Sequence, residues 1–185
     1  MQKYNVAVVG ATGAVGDEML NILEEKDFPV DDLKLFATEK SKGKKISFKN
    51  NEYIVDTIEP GSFSDVDIAL FSIASSASKK IAPQAAEEGA VVIDNSNAFR
   101  MDDEVPLVVP EINPEKIFSH NGIIANPNCS TIQLVLALKP LYDHSGLKQV
   151  RVSTYQAVSG TGRDAIEELT RQSEAHLKGE EIKSE

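Results

Sequence analysis

Cysteine is nearly missing from this sequence. Cys129 is the single one among 185 residues, so no disulfide can close within the chain and no multi-cysteine metal site can form. Positive charge is also short, with 19 Lys and Arg against 29 Asp and Glu and a formal net charge of -10. Such a field repels phosphate backbones and anionic lipid surfaces, which argues against nucleic acid and membranes as partners. No apolar run approaches the ~18 residues of a membrane span, and Met1-Gln-Lys-Tyr-Asn-Val runs directly into an apolar strand pattern, so a cytoplasmic address is expected. Internal repeats, low-complexity tracts and Pro/Ser linkers are lacking as well, and no metal site is expected.

What remains is ordinary globular material, 41% hydrophobic and 26% charged, long enough for one domain and the beginning of another. Val6 to Val9 is a short apolar run ending in Gly10, after which Val15, Met19, Leu20 and Leu23 recur with helical period. Further apolar runs at Leu33 to Ala37, Ile68 to Ile73, Val91 to Ile93 and Ile123 to Ala125 alternate with helix-like or polar stretches. That alternation implies an α/β fold of Rossmann type, a mostly parallel sheet with helices on both faces. Pro83 predicts a kink or break in the Ala-rich helix over 75–88. The all-round apolar stretch Ile132 to Leu138 predicts a buried helix, opened by Ser130 with Gln133 in capping-box spacing. Lys148 to Val158 reads as a long strand and the segment after Thr161 as helix. A second unit is therefore expected to begin near 129, giving a dinucleotide-binding domain over 1–128 and the beginning of an α+β catalytic or dimerisation domain over 129–185.

Gly10-Ala-Thr-Gly13-Ala-Val-Gly16 stands between the first strand and first helix, where glycines permit a tight turn, close approach of backbone to a pyrophosphate, and close helix packing. The second strand ends at Ala37-Thr38 without the acid that usually holds the ribose hydroxyls of NAD. Lys40 and Ser41 follow and suit a 2′-phosphate, which favours NADP; Glu39 in the same turn offers the competing NAD reading.

Asn126-Pro-Asn-Cys129-Ser-Thr-Ile lies where a strand gives way to a helix. Free amides and the positive end of a helix dipole there favour the thiolate of a cysteine, whereas a cysteine elsewhere is commonly a small buried hydrophobe. Asn128 can donate to a developing oxyanion or simply cap the helix.

Together with Asp94-Asn-Ser-Asn-Ala-Phe-Arg100, Val109-Pro-Glu-Ile-Asn113 and Gln156-Ala-Val-Ser-Gly160, these motifs closely resemble the aspartate-semialdehyde dehydrogenase family along essentially the whole chain. The resemblance implies reversible, phosphate-dependent interconversion of aspartate β-semialdehyde and β-aspartyl phosphate with NADP(H), on the way to lysine, threonine and methionine. It makes Cys129 the nucleophile that forms a thiohemiacetal and then a thioester, with Asn128 beside it, Gln156 holding substrate and Arg100 binding phosphate. Gly10, Thr12, Gly13, Ala14, Val15, Thr38, Lys40 and Ser41 would bind the cofactor, and Ser159-Gly160 would approach its nicotinamide. It also implies a homodimer or homotetramer, and a catalytic histidine in a second half that these 185 residues do not include. The chain by itself is accordingly expected to bind nucleotide without turning over. None of His120, His144 and His176 falls in a matched motif.

Two alternatives stay open at this level. N-acetyl-γ-glutamyl-phosphate reductase shares the glycine-rich start and the cysteine, but its cysteine usually follows Asn-Pro-Gly where Asn128 stands here. A non-catalytic nucleotide-binding Rossmann fragment is the other, since fold alone does not fix function.

Overall fold

The computed structural model describes residues 2–182; Met1 and residues 183–185, which belong to the two expected units, lie outside the described residues. Among the described residues seven strands form one sheet: β1 (Tyr4–Val9), β2 (Val30–Phe36), β3 (Lys45–Phe48), β4 (Asn51–Asp56), β5 (Ile68–Phe71), β6 (Val91–Asp94) and β7 (Ile123–Ala125), in the order β3-β4-β2-β1-β5-β6-β7. All neighbours pair in parallel except β3 with β4. The order reverses direction at β1, the switch point at which open α/β sheets bind their ligands.

Period-two alternation explains why both faces are covered. Val6 and Val8 point to one side, where they pack with Leu33, Leu35, Val55 and Leu20 of helix α1 (Ala14–Glu25). Ala7 and Val9 point to the other, joining Phe36, Phe63, Phe71, Val92 and the alanines Ala82 and Ala85 of helix α2 (Ser75–Glu87).

Pro83 does not divide α2 into two pieces, one of the two outcomes expected from the sequence: the helix runs through it unbroken. The carbonyl that Pro83 leaves without an amide belongs to Lys79, an exposed residue, so water can serve it. The β3–β4 hairpin was not foreseen. Its turn residues Lys49 and Asn50 have φ of 46° and 65°, the left-handed pair that a two-residue hairpin turn requires.

The second unit departs further from expectation. Helix α3 (Cys129–Ser145) contains the all-round apolar stretch, yet none of its residues is buried. Lys148 to Val158 is not a strand: residues 149–157 have no regular structure and Val158 opens a short 3₁₀ turn. A strand persists only when its amide ladder is paired, and among the described residues none runs beside this segment. Helix α4 (Arg163–Lys178) follows as expected, also without a buried residue. From Asn128 to Ile182, in fact, no described residue is buried.

Candidate active site

Because β4, β2, β1, β5, β6 and β7 run parallel, the loops that follow them share one edge of the sheet. The sequence-predicted residues of the first 129 positions all fall there.

The turn after β1 is dictated by its own backbone. Gly10 has φ of 91°, and a Cβ on it would stand 2.2 Å from the Ser72 carbonyl oxygen. Its amide and that of Ala11 donate to the Phe36 carbonyl at 2.8 and 3.1 Å, fastening the turn to β2. A Cβ on Gly16 would stand 2.2 Å from the Gly10 oxygen and 2.9 Å from the Ala11 Cα, so α1 can lie this close only with glycine there. Gly13 differs. Its φ of -83° suits any residue, and a Cβ would meet only the Gly10 oxygen, at 3.3 Å, with open space beyond. The fold demands Gly10 and Gly16, whereas at Gly13 the missing side chain leaves room for something to approach the backbone.

Thr12 Oγ1 and Ser41 Oγ share a hydrogen bond of 3.2 Å, tying the glycine turn to the 3₁₀ turn Glu39–Ser41 that follows β2. Ser41 is buried, while Thr38, Glu39 and Lys40 are exposed. Within the basic cluster, Lys42 is committed to Asp56 at 2.9 Å; the hydrogen bond and charge of that carboxylate raise the Lys42 pKa, and the hydrogen bond from Lys42, with that of the Thr57 amide, lowers that of Asp56. Lys45 pairs with Glu52 at 2.7 Å. Lys40 has no side-chain partner among the described residues, so its ammonium is available to an anion at this edge.

The loops after β5, β6 and β7 are linked in turn. Ser75 Oγ bonds to Asn97 Oδ1 and accepts from the Asn97 amide at 3.3 Å. Arg100 donates through Nε to the Asn126 carbonyl at 2.9 Å and through Nη2 to the Asn95 carbonyl at 2.7 Å. These bonds are backbone positioning contacts, and they leave the rest of the guanidinium to other acceptors. Asn95 and Asn126 stand within the quoted motifs without a role of their own, and Ser75 lies outside them, its available signal being the serine-rich end of the β5 run.

Cys129 is exposed and is the first residue of α3. The helix is capped not by Ser130 but by Asn128, whose Oδ1 accepts from the Ser130 amide at 3.2 Å and from its hydroxyl at 2.6 Å. Asparagine at this place is a strong cap, and it displaces the Ser130–Gln133 box that the spacing suggested. Both amide hydrogens of Asn128 Nδ2 are left without a partner among the described residues, so capping and donation to an oxyanion are compatible.

Gln156 and Ser159-Gly160 stand apart from this edge in their bonding. Gln156 Oε1 accepts from Thr154 Oγ1 at 3.2 Å, and Ser159 and Gly160 belong to the exposed 3₁₀ turn Val158–Thr161. Among the described residues no hydrogen bond joins them to Cys129 or to the glycine turn. Two histidines are placed away from the thiol. His120 precedes β7, at the end of that strand opposite Cys129, and its Nδ1 accepts from the Gly122 amide at 2.9 Å. His144 lies fifteen residues along α3, about 22 Å from its start.

Residues 5–120 match the family model "Semialdehyde dehydrogenase, NAD binding domain", and residues 138–185 match "Semialdehyde dehydrogenase, dimerisation domain". The chain is 58% identical over 182 residues to the aspartate-semialdehyde dehydrogenase of Aquifex aeolicus, covering 97% of this chain and 54% of that protein. It is 55% identical over 181 residues to that of Bacillus subtilis, covering 98% and 52%. It thus spans about half the length of the relatives it matches. The crystal structure of aspartate semialdehyde dehydrogenase II of Vibrio cholerae complexed with ASA is similar with a TM-score of 0.96 at 50% identity, covering 100% of this chain and 56% of that one. The Candida albicans enzyme with NADP aligns with a TM-score of 0.65 at 28% identity, over 79% and 48%. With that family model matching residues 5–120, more than half of its length, the chain belongs to the semialdehyde dehydrogenase family.

Proposed function

We propose that this chain supplies the nucleotide site and the nucleophile for the reversible, phosphate-dependent interconversion of aspartate β-semialdehyde and β-aspartyl phosphate. The observation that carries the reading is the shared edge: an exposed Cys129 at a helix start, Arg100 beside its turn, and a glycine turn with open space at Gly13.

The Cys129 thiolate attacks the aldehyde carbon to give a thiohemiacetal. Asn128 Nδ2 donates to the oxygen as charge develops on it, which its Oδ1 cap leaves it free to do. A nicotinamide cofactor held at the glycine turn would supply the hydride acceptor for this carbon; as the oxyanion re-forms its carbonyl, a thioester is left on Cys129. Phosphate, held through the free edge of the Arg100 guanidinium, attacks the thioester carbon; the C–S bond breaks, releasing the acyl phosphate and the thiolate. Gln156 would hold the substrate, and Ser159-Gly160 would face the nicotinamide.

NADP is the cofactor in this reading. Gly13 leaves space for the pyrophosphate, and Thr12, Ala14, Val15, Thr38 and the unpaired Lys40 line its approach, with Ser41 fixing Thr12. Further parts of the reading are a nucleotide domain over 1–128 and a catalytic and dimerisation unit from 129, a homodimer or homotetramer, a cytoplasmic address, and a place in lysine, threonine and methionine synthesis. Among the described residues no helix is long and apolar enough to cross a membrane.

These 185 residues by themselves are proposed to bind nucleotide without efficient turnover. Gln156 is exposed and bonded to Thr154 rather than to any residue of the Cys129 turn, and His120 and His144 are remote from Cys129. A positioned acid or base contributes roughly 10² to 10⁴ in rate. The test is phosphate-dependent NADPH formation from aspartate semialdehyde, run for this chain beside a version extended to the length of its relatives. Activity confined to the extended chain, lost in Cys129→Ala and lacking with N-acetylglutamate semialdehyde, is the expected result. Turnover by the 185 residues within tenfold of the extended chain would overturn the inactivity proposal.

A further inference from the structure

Asn126 is gripped on three sides. Its amide donates to the Asp94 carbonyl at 2.8 Å, its side-chain amide to Asn95 Oδ1, and its carbonyl accepts from Arg100 Nε at 2.9 Å. Between Asn126 and Cys129 stand only Pro127, whose ring fixes φ and which is buried, and Asn128, immobilised by its bonds to Ser130. Such a short, locked connection has few torsions left, so the placement of the Asn126 carbonyl passes directly to Cys129.

Arg100 is itself delivered by a rigid loop. Asp94, fully buried, accepts from the Ser96 amide at 3.0 Å and from its hydroxyl at 2.7 Å, and that hydroxyl accepts from the Ala98 amide at 3.0 Å. Phe99 packs against the core one residue before Arg100. The guanidinium then spans two loops, Nε to Asn126 and Nη2 to Asn95, a reach that uses its planar fork rather than its charge.

From this we infer that Arg100 is a positioning residue for the nucleophile turn: it holds Cys129 in place through the Asn126 carbonyl, independently of any anion it binds. The inference rests on the proposed nucleophilic role of Cys129 for its functional meaning. Phosphate binding by Arg100, part of that same reading, would use the remaining guanidinium hydrogens and would act on a turn already set.

Hydrogen exchange on the 185-residue chain in anion-poor buffer tests this without substrate or turnover. In Arg100→Lys, which keeps the charge and loses the fork, exchange at the hydrogen-bonded amides of Asn126, Ser130 and Ile132 should rise at least about tenfold, as expected for losing the forked pair of bonds. Amides of β1 and β5 should keep wild-type protection. In Arg100→Ala, methylguanidinium ion should restore protection and methylammonium ion should not. Wild-type exchange around Cys129 in the lysine variant, uniform loosening of the whole sheet, or equal rescue by both ions would overturn the inference. Should neither variant fold, the wild-type Arg100 Nε–H proton decides: slow exchange is expected, and exchange at the solvent rate refutes the bond to Asn126. Titrating inorganic phosphate against the Arg100 Nη signals reads the anion role separately, and a null result there counts against phosphate binding alone.

Discussion

Replacing Gly13 by alanine separates ligand space from folding requirements within a single turn. Its extended backbone accepts alanine, and the new Cβ meets the Gly10 oxygen at 3.3 Å, a contact relieved by a few tenths of an ångström. Reduced unfolded-state entropy returns about 0.4–1 kcal/mol, so net stability should change by less than about 1 kcal/mol. Gly16→Ala is the contrast. There the methyl meets backbone atoms at 2.2 and 2.9 Å, and α1 must lift from the sheet, at a cost of about 3 kcal/mol. On the proposed reading the methyl at position 13 would occupy the open space through which a pyrophosphate reaches the turn, so NADPH affinity should fall at least about tenfold, or ~1.4 kcal/mol. Thermal unfolding and calorimetric titration with NADPH measure the two effects in one preparation. If Gly13→Ala binds NADPH as the wild type does, or unfolds as readily as Gly16→Ala, the assignment of the glycine turn as the pyrophosphate site is wrong.

Three further outcomes are expected. Competition binding should favour NADP over NAD, and Lys40→Ala should lower NADPH affinity about tenfold with little effect on NADH, the scale of one charge-assisted hydrogen bond; equal wild-type affinities would give the ribose to Glu39. Ser78 is fully buried with no hydrogen-bond partner for its hydroxyl, so Ser78→Ala should stabilise the fold by about 1 kcal/mol in urea denaturation, and a loss would show an unrecognised partner. Burial pushes the Glu88 carboxyl up, but bonds from the Gly61 amide, the Gln84 side chain and the Phe63 amide, with Lys34 nearby, outweigh it and hold the group below the usual glutamate range. A depressed pKa contributes stability above the unfolded value that is lost as pH falls through the folded one, so Glu88→Gln should be less stable near neutrality, and its deficit should shrink as pH falls below the unfolded value of 4.5; parallel stability curves down to acid would refute it.

The nucleotide half was legible because its signals are local. Val6 to Val9 alternates between two cores, and Gly10 and Gly16 are forced by contacts within the turn they form. Cys129 at a helix start was legible for the same reason. Asn128 was read both ways, as cap and as donor, and its geometry allows both. What sequence could not give was pairing at a distance. Arg100 reads as a phosphate ligand from its motif, but its bonds to Asn95 and Asn126 depend on β6 and β7 lying side by side. Lys148 to Val158 failed for the opposite reason, since β-branched residues mark a surface that packs well as a strand but do not supply the neighbouring strand. The apolar stretch Ile132 to Leu138 likewise advertises burial that no described element provides.

The role of Cys129 can be read from the covalent intermediate itself. A chain extended to the length of its relatives, mixed with aspartate semialdehyde and NADP in the absence of phosphate, should accumulate an aspartyl thioester on the peptide containing Cys129, detected by mass spectrometry and discharged by added phosphate. Turnover with no adduct at Cys129, or turnover that persists in Cys129→Ala, would contradict it.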